Sequence, residues 1–108
     1  MLFRSRNEKF EKAIKLAQNN QWNEAVIIWE TFINSKNKAQ RVSSLYNLAL
    51  ASEMNGDIDK ALNLIKQGAE KSSGIFMGTA DELVRRYAAV LFQRKLEITK
   101  LNQQNEAH

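Results

Sequence analysis

The residues of this chain whose types could do chemistry are an acidic pair, one histidine and a glycine-containing loop. Asp57 and Asp59 lie two apart, close enough in sequence for acid–base work by paired carboxylates. They open the helix-forming run "IDKALNLI", however, where carboxylates satisfy free amide groups and answer the positive end of the helix dipole. His108 is the only histidine and the final residue of the sequence, so it reads as a tail residue rather than a general base. "SSGIFMGT" (72–79) holds two glycines without the spacing of a phosphate-cradling loop, and no strand precedes it. With no cysteine and one histidine, the usual zinc ligands are missing. The expectation is a chain that is not an enzyme, has no metal, cofactor or small-molecule substrate, and acts by binding.

The elements that would position a binding surface are helical. Apolar residues recur at helical spacing along nearly the whole chain, no strand-like alternation is evident, and proline is absent. Phe10, Ala13, Ile14 and Ala17 predict a first helix over about 6–18. Ala25, Ile28, Trp29 and Phe32 predict a second, over about 22–34. Leu45, Leu48, Ala49 and Ser52 mark a third, stopped at Asn55-Gly56, and Asp57 caps a fourth carrying Ala61, Leu64, Ile65 and Gly68. Thr79 to Glu82 has capping-box spacing ahead of a long last helix, about 80–104, with Val84, Tyr87, Ala88, Leu91, Ile98 and Leu101 along one side. Arg94 and Lys95 interrupt that side, which points to a solvated far end. Ile75, Phe76 and Met77, in the loop before this helix, are expected to fold over the end of the core.

Composition narrows the class. At 108 residues, 44% hydrophobic and 26% charged, the chain reads as one small globular domain. The net charge of +4 comes from sixteen Lys and Arg mixed with twelve acids, not gathered in a basic block. Pairs such as Glu8–Lys12, Glu11–Lys15 and Glu82–Arg86 fall at the spacing of solvated helix faces. Nucleic-acid binding would need a basic stripe with stacking aromatics, which is not evident. No apolar run approaches the ~18 residues of a membrane span, and "MLFRSRNEKF" lacks the apolar core of a signal peptide. The chain is expected to make no membrane contact, to be a monomer, and to be cut from a longer protein.

The chain also repeats itself. "NQWNEAVIIW" (20–29) lies over "GDIDKALNLI" (56–65) at a shift of 36 residues, aligning Ala25 with Ala61 and Trp29 with Ile65. A helix–turn–helix unit recurring at this period is the signature of a stacked array. Small residues at Ala49 and Ala61 let paired helices approach, while Gly56 accepts a left-handed turn that costs other residues ~1 kcal/mol or more.

At these residues the sequence resembles the tetratricopeptide repeat family. In "YNLALASEMNGDIDKALNLIKQGAEKS", Leu45, Leu48 and Ala49 match the first-helix core, Gly56-Asp57 the turn, Ala61 and Gly68 the small residues, and Ile65 the aliphatic between them. Ser52 and Ser73 depart from the pattern, where an aromatic and a proline are common. The first unit matches from Asn20 to Trp29, but its leading helix puts Lys9 and Lys12 on nominal core sites; a turn one residue shorter would restore Phe10, Ala13 and Ala17. The implied architecture is all-α: one domain of two such hairpins, 7–35 and 42–73, closed by a helix over 80–104. Ala25, Trp29, Ala49, Gly56, Ala61 and Gly68 carry the packing, and Trp22 joins Trp29 on one face.

The resemblance implies a function of protein interaction or scaffolding, with a peptide or partner protein in the groove that first helices line. The groove residues would be Asn7, Glu11 and Ile14 in unit one, and Ser43, Tyr46, Asn47, Leu50 and Glu53 in unit two. The competing expectation is that Tyr46 and Leu50 simply pack against the last helix. Asn47 matches the asparagine of the family's carboxylate clamp, but Phe10 and Ile14 stand where its lysine and other asparagine belong, so a clamp is not expected. A helical-repeat RNA binder is the alternative, weakened by the lack of a column of base-reading polar pairs. "NNQWNEAVIIWE" and the stretch that follows it are also similar to the C-terminal region of a family of bacterial envelope lipoproteins with no assigned activity. That likeness implies an envelope setting for a longer parent; without it the chain, which carries no targeting signal, would be cytoplasmic.

Overall fold

The computed structural model describes residues 2–71 and 79–106 and is all-α, with no strand among the described residues. Five helices follow in order: α1 (Glu8–Gln18), α2 (Trp22–Glu30), α3 (Lys38–Met54), α4 (Ile58–Lys71) and α5 (Thr79–Glu106). Each packs on the next: α1 on α2, α2 on α3, α3 on α4, and α4 on α5. Loop residues Ile75, Phe76 and Met77 lie outside the described residues, as do the side chains of Val84 and Tyr87.

Local chemistry sets the boundaries. Asn7 is the N-cap of α1, its side-chain oxygen accepting from the amides of Lys9 at 2.9 Å and Phe10 at 3.3 Å. Asn37 caps α3 by accepting from Gln40 N–H at 3.1 Å, and Asp57 caps α4 through Lys60 N–H at 3.1 Å. α2 stops at Glu30, four residues short of the expected end. There the Thr31 hydroxyl donates to the Ile28 carbonyl at 2.6 Å, and Phe32 N–H bonds Trp29 O, three residues back. A hydroxyl competing for the helix carbonyls tightens the last turn and ends it.

The 36-residue repeat is present in the backbone hydrogen bonds. After α1, Asn20 turns left-handed at φ 63°, with Gln21 N–H on Leu16 O at 2.8 Å and Asn20 N–H on Ala17 O at 3.0 Å. After α3, Gly56 does the same at φ 80°, with Asp57 N–H on Ser52 O and Gly56 N–H on Glu53 O, both 2.9 Å. This is one helix-ending motif used twice. The register therefore needs no shortened turn, which corrects that expectation. Phe10 takes the place of Tyr46 and Ala13 that of Ala49, and all four are buried.

Lys9 and Lys12 fall opposite Leu45 and Leu48, and the difference follows from position in the stack. Leu48 packs into the core formed by α1 and α2, whereas Lys9 and Lys12 are exposed. Among the described residues that face of α1 is uncovered, so water accepts the charge there.

Two core clusters result. The first joins Phe10, Ala13, Ile14, Ala17, Ala25, Trp29, Phe32 and Leu48, with Phe10 edge-on to Phe32 at 5.4 Å between centroids and Trp22 packed against it from one side. The second joins Val42, Tyr46, Ala49, Ala61, Ile65 and Leu91. α3 lies between them and is buried without a break from Val42 to Ala49, so it is covered on every side rather than along one stripe.

α5 meets the rest through Leu91, which is fully buried, and through ion pairs of Arg94 with Glu53 and Lys95 with Asp59. The two basic residues that interrupt its apolar side thus reach back to the α3–α4 turn. Past that point the helix leaves the body: Leu96, Ile98 and Leu101 are 44–58% exposed. Ile98 and Leu101 thus lie on the solvated far end expected beyond Arg94 and Lys95. A helix of 28 residues is about 42 Å long and α4, with 14, only half that.

Candidate functional site

The expected groove lies along α1 and α3, and its residues divide sharply. Ser43, Tyr46 and Asn47 are at most 2% exposed, and Ile14 is buried in the first core. Leu50 and Glu53 are half-buried, as are Asn7 and Glu11. Asn7 spends its side chain on the α1 cap, so it serves the helix rather than a groove wall. Glu53 pairs with Arg94 of α5. The open surface expected along Ser43, Tyr46 and Asn47 is corrected to a covered one. Tyr46 does share a core with Leu91 of α5, but another element also covers it.

That element is the chain's own leading segment, residues 2–6, which is not helical. Phe3 N–H donates to Asn47 Oδ1 at 2.7 Å, and Asn47 Nδ2 donates to the Phe3 carbonyl at 2.8 Å. One side-chain amide can satisfy both groups of a single residue only where they point the same way, as they do in extended chain. The Phe3 ring rests on the Tyr46 ring at 4.9 Å between centroids, tilted by 49°. Next in line, the Arg4 guanidinium donates to Glu11 Oε2 at 2.9 Å. Leu2 packs against the first core cluster. Main-chain pairing, an aromatic seat and a carboxylate partner therefore lie in sequence along the groove.

The floor of the aromatic seat is Gly68 on α4. A Cβ built there would stand 2.3 Å from Tyr46 Cε1 and 2.8 Å from Cδ1. The absence of a side chain at Gly68 is what lets the Tyr46 ring lie between α4 and Phe3. In the first hairpin the equivalent of Gly68 is Phe32, which fills the space against Phe10. The seat is thus particular to the second hairpin.

Two residues of this arrangement carry a signal in the sequence. Asn47 was identifiable as a groove residue, and Gly68 as a close-approach site. That Leu2, Phe3 and Arg4 belong to the site was not foreseen. The only trace is an apolar pair ahead of α1, "LF", which no helix period requires.

Elsewhere, an apolar cleft of about 450 Å³ between the hairpins is lined by Val26, Ile33, Leu48, Ala51 and Leu64, with Glu30 and Lys60 also lining it. No group of three or more His, Cys, Asp or Glu side chains that could hold a metal occurs among the described residues. Among them, too, no helix is long and apolar enough to cross a membrane.

Compared with known proteins, the chain matches no curated protein and no solved structure. Residues 11–97 match the family described as Domain of unknown function (DUF6340). That span starts in α1 and ends in α5, takes in both hairpins and Asn47, and leaves out the leading segment. With most of its length inside the match, the chain belongs to that family.

Proposed function

We propose that this protein is a non-catalytic interaction module, two tetratricopeptide-like hairpins closed by α5, which binds a peptide or a segment of a partner protein. The observation that carries this reading is the pairing of Asn47 with both main-chain groups of Phe3. A fully buried amide that exchanges two hydrogen bonds with one residue of a passing chain is equipped to hold a polypeptide whatever its sequence, while neighbouring side chains select. The repeat register supports the same architecture, since turn bonds recur at the same shift. The likeness to envelope lipoproteins supports a place in the bacterial envelope for a longer parent. An RNA-binding reading lacks such support: Ser43 and Asn47 are buried, and Asn47 engages polypeptide.

Display selection of random peptides on the immobilised intact chain tests the reading. Enrichment of peptides that lose binding to Asn47→Ala is the expected result. Enrichment of none, together with salt-dependent retention of single-stranded RNA, would replace it by the RNA-binding alternative.

A further inference from the structure

Resting on that reading of the groove, we propose that residues 2–6 fill a peptide site in cis, and that the partner taking their place is an extended peptide in which a basic residue directly follows an aromatic one. Asn47 hydrogen-bonds the main-chain N–H and carbonyl of Phe3, and these bonds fix register without choosing a side chain. Choice falls to the two flanking positions. The Tyr46 ring, held over Gly68, presents a face to an aromatic side chain. The Glu11 carboxylate takes a guanidinium one residue further on.

The occupant is attached locally. Downstream of Phe3, a cleft of about 420 Å³ separates Arg4, Ser5 and Arg6 from Asn37, Ala39 and Gln40 of the α3 start. Arg4 itself is 65% exposed at its side chain. The segment is therefore held down at Phe3 and stands off beyond it, leaving room for larger side chains of a competitor. Departure of the segment would expose the Asn47 amide to water or to another backbone, so exchange strands no buried polar group. The match to the family begins after this segment, at residue 11, so the groove on α3 lies within the family's span and its present occupant does not.

The test is a titration of the intact chain with a fluorescein-labelled Leu-Phe-Arg-Ser-Arg peptide. Phe3→Ala weakens the internal occupant, and because apparent affinity scales with the fraction of open sites, it should bind the peptide about 10-fold or more tighter than the wild type. Replacing phenylalanine by alanine in the peptide, or adding Asn47→Ala to the protein, should remove that gain. A folded Phe3→Ala that binds no tighter, or binds without regard to the peptide's phenylalanine, overturns the proposal. Amide exchange on the wild-type chain needs no variant. Phe3 N–H should exchange at least about 10-fold faster than Ala49 N–H in α3. Equal rates for the two would mean that the segment opens only on global unfolding, and the proposal fails. If display selection still yields Asn47-dependent peptides of other chemistry, the interaction reading stands while this proposal falls; if neither binds, both fall.

Discussion

Gly68→Ala adds one methyl group at the point where α4, Tyr46 and Phe3 meet. In an ordinary exposed helix the change is favourable, since alanine exceeds glycine in helix propensity by about 0.8–1.0 kcal/mol. Here the new Cβ would stand 2.3 Å from Tyr46 Cε1, where carbon atoms in contact prefer about 3.5–4.0 Å. The ring must retreat by roughly 1.2 Å or more. It is 1% exposed and has the Phe3 ring packed against it, so it cannot swing into solvent. Overpacking of a filled core costs about 1–3 kcal/mol. Set against the propensity gain, the net loss is roughly 0–2 kcal/mol, or up to about 16 °C in Tm for a domain of this size. Thermal unfolding followed by far-UV circular dichroism measures it, and the Phe3 amide resonance reports whether the leading segment lets go. A variant as stable as the wild type, with the Phe3 resonance unmoved, would refute the packing argument for both Gly68 and the seat above it.

Three further perturbations probe the rest of the fold. Ala61→Leu puts a branched side chain where α3 and α4 touch, at a residue with no exposure, and should cost about 1–3 kcal/mol by chemical denaturation; a melt within a degree of wild type would remove Ala61 from the seam. Deleting 103–108 should leave stability unchanged, whereas deleting 80–108 uncovers the site of the buried Leu91 and should give a molten or self-associating chain by sedimentation and dye binding, because a small domain holds only about 5–15 kcal/mol in all.

How far the sequence determines this protein can be read from particular residues. Helix class and order follow from local spacing, because Phe10, Ala13, Ile14 and Ala17 can share a face only on a helix. The two turns were legible as well, since glycine and asparagine take a left-handed conformation most readily and stand at both positions. The small residues Ala61 and Gly68 stood out as sites of close helix approach. Local spacing could not tell whether Lys9 and Lys12 contradicted the repeat. The answer depends on which face of a hairpin has a neighbour, and that is a property of the stack. Nor could it show that Asn47, Ser43 and Tyr46 would be covered, because the covering segment is 44 residues away along the chain from Asn47. Residues 2–6 have no helix period and no strand partner, so nothing local specifies where they go. Their place is set by the Asn47 amide, the Tyr46 ring and the Glu11 carboxylate, three groups that come together only after α1, α3 and α4 have packed.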